Sequence, residues 1–265
     1  MKKSIFILFA GLTTLSSAAF GIMNWNPSCE SKAIVNSATE TEDTNDKQVF
    51  DSKVAFFYNV DTRFSGVEKT ALDNANSIHD FLPQRFTESI ISYHSVEIIV
   101  LNDNKQTENR HLGKDDKLTP EQKNLIQSLD YSSNILIRAE FKEKNRITGR
   151  VSHGYATPHL TIVPFIQAEY FAGKDALVDY LKNNCGDITK DIDEKKLEPG
   201  KLYFTISKDG FISNINLAAS SGYAHVDAHM KELLINLPGE WNPAKNIRGE
   251  KVEQTLVFSY GIIGC

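Results

Sequence analysis

The chain has no basic block and only three cysteines, and its charge pattern limits the partners it can bind. Its 265 residues include 29 lysines and arginines against 34 aspartates and glutamates, a formal net charge of -5. The basic residues are spread along the chain rather than grouped in a stripe, which argues against nucleic acid as a partner. Hydrophobic residues make up 41% and charged residues 24%, an ordinary globular composition that can bury a core.

Motifs of several enzyme classes are also missing. The sequence contains no C-x-x-C pair, Gly-rich phosphate loop, EF-hand spacing or G-x-S-x-G elbow. His225 and His229 lie four residues apart, but a zinc-protease helix needs Glu after the first histidine, where Val226 stands. His153 and His159 keep an exported metal-dependent hydrolase open as an alternative. We predict a protein that is not an enzyme, with no catalytic residue, no metal and no cofactor.

The N-terminus carries no charge between Lys3 and Glu30. A basic start, an apolar centre from Ile5 to Leu15 and small residues up to Gly21 are typical of a secretory signal. The uncharged run is also long enough to span a bilayer, so a membrane anchor stays open. Residues 1–21 are therefore predicted to be a signal peptide or an N-terminal anchor, and the remainder of the chain is predicted to be exported.

The three cysteines are Cys29, Cys185 and Cys265. Export permits disulfides. We predict a bond between Cys185 and Cys265, because one follows the first helix of the C-terminal part and the other ends its last strand. Cys29 as a lipid-acylation site is disfavoured, since "NPSC" lacks the aliphatic and small residues that usually precede such a site.

The rest of the chain divides into two ordered parts. Residues 22–48 are predicted to be a disordered linker, because the stretch from Glu30 to Lys47 is polar, acidic and free of aromatic residues. Hydrophobic periodicity predicts a helix, two strands, a helix and a strand within residues 49–145, and the same order again within residues 169–265. Residues 146–168 are predicted to connect them. The sequence thus predicts an α+β fold in which a duplicated α+β domain precedes a small antiparallel sheet with helices on one side.

The C-terminal part carries several local signals. Asp209-Gly210 predicts a two-residue hairpin turn. Ser220 and Ser221 are predicted to cap the helix that begins near Tyr223, after Gly222. Pro238 is predicted to end the helix, Trp241 to enter the core as an aromatic anchor, and Pro243 to turn the chain.

These signals occur in an order that resembles the C-terminal domain of the TonB energy-transducer family. The matching segments are "GKLYFTISKDGFISNINLAASSG", an aspartate early in the next helix (Asp227), "LPGEWNPA" and "GEKVEQTLVFSY". The likeness covers about residues 170–265. It implies a periplasmic location and a part in transmembrane transport.

In that family the domain contacts an outer-membrane receptor, whose short peptide (the TonB box) joins the sheet edge as an added strand. The resemblance therefore implies a receptor peptide as partner and inner-membrane motor proteins as further partners. It places partner binding on the last strand, at Gln254, Thr255, Leu256, Val257, Phe258, Ser259 and Tyr260. A homodimer and a structural envelope-assembly role stay open.

Overall fold

The structure, a computed structural model, describes residues 56–263 except 104, 187, 190 and 191. The predicted signal or anchor, the predicted linker, Cys29 and Cys265 lie outside the described residues. The described chain has a mixed α+β fold built on antiparallel sheets, as the sequence predicts.

The described residues form fourteen strands and five α-helices. The strands are β1 (Phe57–Asp61), β2 (Ser65–Glu68), β3 (Ile90–Asn102), β4 (Lys105–Gly113), β5 (Asn134–Lys144), β6 (Val151–Ala156), β7 (His159–Val163), β8 (Glu169–Tyr170), β9 (Pro199–Ile206), β10 (Ile212–Ala219), β11 (Trp241–Asn242), β12 (Ala244–Lys245), β13 (Lys251–Val252) and β14 (Gln254–Gly261). The helices are α1 (Lys69–Asn74), α2 (Gln84–Thr87), α3 (Pro120–Gln127), α4 (Lys174–Asn183) and α5 (Ala224–Ile235).

A six-stranded sheet forms the first unit, in the order β2-β7-β5-β3-β4 with β6 also paired to β5. Alternate residues of β3 and β5 face the same core, where Ile98 lies opposite Ile137. Helix α3 covers this face with Ile126. The helix begins as its sequence predicts, because the Thr119 side chain accepts a hydrogen bond from the Gln122 backbone and the Gln122 side chain accepts one from the Thr119 backbone.

A four-stranded antiparallel sheet forms the second unit, in the order β1-β14-β9-β10. Its core face is apolar because alternate residues of β9 and β14 point to one side. Helices α4 and α5 pack on that side, so the predicted arrangement of helices on one face is confirmed. The buried residues that the sheet and these helices contribute to this core are Val60, Leu202, Phe204, Ile206, Leu256, Phe258, Tyr260, Leu177, Leu181, Val226, Met230, Leu233 and Leu234.

Three strands of each sheet share one arrangement. In the first, β3 lies between its hairpin partner β4 and the later strand β5; in the second, β9 lies between β10 and β14. Strand β3 pairs with β5 and also with β4, the strand that lies between them in sequence. The predicted order of helix, strand, strand, helix and strand is therefore matched by equivalent sheet connections.

The structure corrects two of the predicted boundaries. The predicted connector, residues 146–168, contains β6 and β7, and both belong to the first sheet. Strand β1 lies in the predicted first domain but pairs with β14 of the second sheet. The sequence offered no local signal for either pairing, since sheet partners distant along the chain are chosen by tertiary packing.

Within the described residues, no helix is both long and apolar enough to cross a membrane.

Candidate strand-addition site

The predicted binding strand is not an open edge. From Val257 to Gly261 it pairs with β1, and along its whole length it pairs with β9. The expectation that Gln254 to Tyr260 offers unpaired backbone groups is therefore wrong. The physical reason is that β1, far away in sequence, already supplies an antiparallel neighbour.

The remaining part of this edge is held by the first unit. The backbone N–H of Thr255 donates to the Ser132 hydroxyl across 2.8 Å. Ser132 has a φ of 66°, an uncommon left-handed conformation for a residue other than glycine. Since Thr255 lies opposite Thr205 of β9 but donates to Ser132, its N–H points away from β9.

This contact fixes the direction of the other backbone groups in β14. Successive residues of a strand direct their N–H and C=O groups to opposite sides. The backbone N–H and C=O groups of Val257 and Ser259 therefore point toward β1. There they pair with the backbone groups of Asp61 and Asn59. Asn59 and Ser259 form a hydrogen-bonded pair, which makes Asn59 the central backbone contact of β1.

The side chains of β14 alternate between the two faces of the sheet. Leu256, Phe258 and Tyr260 enter the core beneath α4 and α5. Thr255, Val257 and Ser259 lie on the other face, where Val257 is nevertheless only 4% exposed. The Thr255 hydroxyl is 3.1 Å from that of Thr205 on the neighbouring strand. The back of this strand is thus partly buried.

Strand β1 is attached to the second unit through its side chains. Val60 is buried in the core, and the ring of Tyr58 stacks on Phe258 with centroids 6.5 Å apart. Burial raises the pKa of the Tyr58 hydroxyl, and the neighbouring Cys185 thiol adds to the rise. At the other end, Lys174 Nζ of α4 lies 2.8 Å from Asp61 Oδ2.

The opposite edge of the sheet is irregular. Pairing between β10 and β9 shifts register between Ser213 and Asn216 and again between Leu217 and Ala219. Asn214 takes a φ of 51° within this stretch. Bulges of this kind twist an edge and disfavour a further strand. The β14 side is the regular side of the sheet.

The two serines before α5 bind a carboxylate rather than capping the helix. The side chain of the helix N-cap residue, Tyr223, makes no capping bond. Ser220 and Ser221 instead donate their hydroxyls to Asp227 across 2.6 and 2.7 Å, and the Ser221 backbone N–H donates across 2.9 Å. Burial raises the pKa of Asp227, but these hydrogen bonds and one from Tyr260 outweigh it, so the pKa lies below its ordinary value.

The hairpin turn after β9 has three residues, not the predicted two. Ser207 and Phe211 close the loop, because the Ser207 N–H donates to the Phe211 carbonyl across 2.9 Å. Only Gly210 has a positive φ, at 85°. This is the pattern of a three-residue loop with a left-handed glycine. A side chain at Gly210 would also meet the Trp241 carbonyl, since a Cβ there would lie 2.3 Å from that oxygen.

Trp241 is buried in the second core, as predicted, with 7% of its surface exposed. Its ring lies 5.8 Å from Phe204 and 5.6 Å from Tyr170, while its indole Nε1 has no hydrogen-bond partner among the described residues. The Tyr170 hydroxyl donates to the Pro238 carbonyl. The aromatic anchor thus joins β8, β9 and the end of α5.

The glycine before α5 and the proline after it also have defined positions. Gly222 has a φ of 86°, and a Cβ there would lie 2.6 Å from the Lys196 carbonyl. Pro243 lies between the two short strands β11 and β12. These residues shape the second unit and lie outside the strand-addition edge.

Cys185 is a free, buried thiol at the end of α4. Its Sγ donates to the Leu181 carbonyl across 2.8 Å and lies 3.6 Å from the Met230 sulfur. Burial raises its pKa. Cys265, its predicted disulfide partner, lies outside the described residues.

The candidate histidines make separate contacts. His229 Nε2 contacts the Asn184 carbonyl at 2.9 Å, His225 packs on the ring of Tyr223, and His159 packs on Phe64. His153 is in β6 of the first sheet. In the part of the chain that the structure describes, no group of three or more His, Cys, Asp or Glu residues could hold a metal ion.

A scan against protein-family models found no match to this chain, and neither curated proteins nor solved structures gave one.

Proposed function

We propose that this chain is an exported, periplasmic TonB-like binding module that takes an extended segment of an outer-membrane receptor as an added strand on its second sheet. The partner strand lies against β14, from Val257 to Tyr260. The inner-membrane motor is a further partner in this proposal.

One observation carries the proposal. Strand β1 is itself an added strand: a segment almost 200 residues away in sequence lies along β14 in continuous antiparallel register. Its backbone groups satisfy those of β14, and alternate side chains enter the core. This is the geometry by which a peptide joins a sheet, with main-chain bonds giving affinity and alternate side chains giving register.

The rest of the sheet supports β14 as a platform. Its core-facing residues are fully or nearly buried, and its other neighbour, β9, is paired with it over eight residues. A strand held this firmly keeps its backbone groups in place when its outer neighbour changes. The irregular β10 edge lacks this property.

The proposal is tested by titrating a fluorescent peptide from the N-terminus of a TonB-dependent receptor into the full chain. Backbone amide exchange, measured with and without the peptide, then locates the contact. We expect altered exchange within residues 57–61 and 254–261, with β3 and β4 of the first sheet as the internal reference.

Two results would overturn the proposal. One is an absence of binding at millimolar peptide, and the other is binding that changes exchange only in the first sheet or along β10. The second result would favour an assembly role over receptor contact.

A further inference from the structure

We propose that β1 is an exchangeable internal occupant of the β14 edge, and that the partner segment carries the residue pattern of β1. This inference rests on the proposed function, and it adds both a resting blocked state and a sequence class for the partner. In that state the chain binds its own segment; binding of a partner requires β1 to leave.

The two sheets provide an internal comparison of how firmly a covering strand is held. In the first sheet, β7 covers part of β5, and four of its five residues are buried, from Leu160 to Val163. In the second sheet, β1 covers β14, and only Val60 of its five residues is buried. Strand β7 is therefore a fixed part of its core, whereas β1 places only Val60 fully in its core, with Tyr58 packed partly against it.

The ion pair at the end of β1 is exposed. The Lys174–Asp61 ion pair has side chains 51% and 56% exposed, and exposed pairs contribute little. Among the described residues, no strand pairs with the outer side of β1. An edge strand with one fully buried side chain needs less free energy to open locally than the inner strands of the sheet do.

The space that β1 leaves defines what can replace it. A replacement running antiparallel to β14 needs an aromatic residue opposite Tyr260, as Tyr58 is, and a β-branched residue two positions later opposite Phe258, as Val60 is. The residue between them faces Ser259 and can be polar. An acidic residue in the next position would meet Lys174. The partner is thus an extended peptide with an aromatic, polar, β-branched, acidic pattern.

If β1 must leave β14 before a partner binds, the affinity of the partner depends on how often β1 is detached. When the binding-competent state is only fractionally populated, the apparent dissociation constant rises by the inverse of that fraction. A change that loosens β1 and leaves β14 intact must therefore tighten the binding of a partner. Asn59→Pro is such a change, because it removes the N–H that Asn59 gives to Ser259.

The experiment uses the full chain and a fluorescein-labelled peptide of residues 56–62, "FFYNVDT". Binding is compared between Asn59→Pro and Asn59→Ala, a matched control that keeps the backbone N–H. We expect Asn59→Pro to bind the peptide at least about tenfold more tightly, which corresponds to about 1.4 kcal/mol. A peptide with its tyrosine and asparagine exchanged should not bind, since the aromatic residue would leave the core face.

Circular dichroism checks that Asn59→Pro folds; if it does not, Val60→Ala, which shrinks the one buried side chain of β1, replaces it. Equal affinities in the loosened variant and its control would overturn the exchange of β1, even if the receptor peptide binds elsewhere on the chain. Failure of both the copied peptide and the receptor peptide would overturn the proposed function as well.

Discussion

The Tyr260 hydroxyl donates a hydrogen bond to Asp227 Oδ1 across 2.8 Å in the buried core of the second unit. The bond joins the strand proposed to receive a partner to the helix that supports it. Tyr260 also packs over Gly200, where a Cβ would lie 2.3 Å from its ring. The residue thus fixes β14 against both α5 and β9.

Tyr260→Phe removes the donor and keeps the ring. Because hydrogen bonds to charged groups contribute about 1.5–3 kcal/mol, we expect the free energy of unfolding to fall by about that amount. Urea unfolding measures it. The matched control is Tyr155→Phe, whose side chain is 61% exposed and which should change stability by less than about 0.5 kcal/mol. Equal effects of the two changes would contradict the role of this bond.

The same pair predicts how stability depends on pH. The folded pKa of Asp227 lies below its ordinary value of 3.8, so its contribution is present above that value and is lost as pH falls through the folded pKa. Burial and the Asp227 contact raise the pKa of Tyr260 above 10.0, so its contribution is present below pH 10 and is lost as pH rises beyond it. Urea unfolding from pH 2 to 11 should show both declines. Asp227→Asn should reduce the loss of stability at acid pH. An unchanged dependence of stability on acid pH in that variant would contradict the role given to Asp227.

Trp241→Ala should reduce the free energy of unfolding by about 3–5 kcal/mol, because it leaves a large cavity beside Phe204 and Tyr170. Trp241→Phe is the informative companion. The indole N–H has no partner among the described residues, so a smaller ring costs only packing and should destabilise less. Thermal unfolding distinguishes them, and an unchanged melting temperature in Trp241→Ala would show that the ring does not hold this core together.

Gly210→Ala should destabilise the second unit, because the added methyl group meets the Trp241 carbonyl and the left-handed backbone becomes strained. Strain of this kind costs about 1–3 kcal/mol. Gly186→Ala is the matched control, since nothing lies within 4 Å of a Cβ at that position and its φ is not positive. Denaturant midpoints measure both variants. Equal midpoints would show that the loop relaxes without cost.

Local patterns were sufficient to predict the elements that depend on local physics. Thr119 and Pro120 predict the start of α3 because capping involves only neighbouring residues. Alternation along β14 predicts which side chains enter the core. The arrangement of three strands that the two sheets share also follows from the repeated order of elements, since hairpins and the strand after a helix have few ways to pair.

The pairing of β1 could not be predicted in this way. Phe57–Asp61 is short and weakly patterned, and its partner is chosen by the shape of a core assembled mostly from residues after 169. The bond from Thr255 to Ser132 was missed for a similar reason, because a serine hydroxyl carries no signal of a contact across units. The edge of β14 that the sequence predicts to be open is covered by β1 and by the contact with Ser132.

The central claim is that a partner segment binds β14 in the place of β1, and a reversible disulfide between β1 and β14 tests it most directly. Asn59 and Ser259 are register partners in a hydrogen-bonded pair, whose Cα atoms are ordinarily about 5.5 Å apart, within the range that a disulfide spans. The variant Asn59→Cys with Ser259→Cys therefore holds β1 in place when oxidised and frees it when reduced. Each single variant and the original chain serve as controls for the oxidant and for the native cysteines.

The deciding measurement is the affinity of the receptor peptide for the double variant before and after reduction. We expect no detectable binding in the oxidised form and recovery of the original affinity on reduction, with no such change in the controls. Equal binding by the oxidised and reduced double variant would contradict the claim, because the peptide would then occupy a surface that β1 does not cover.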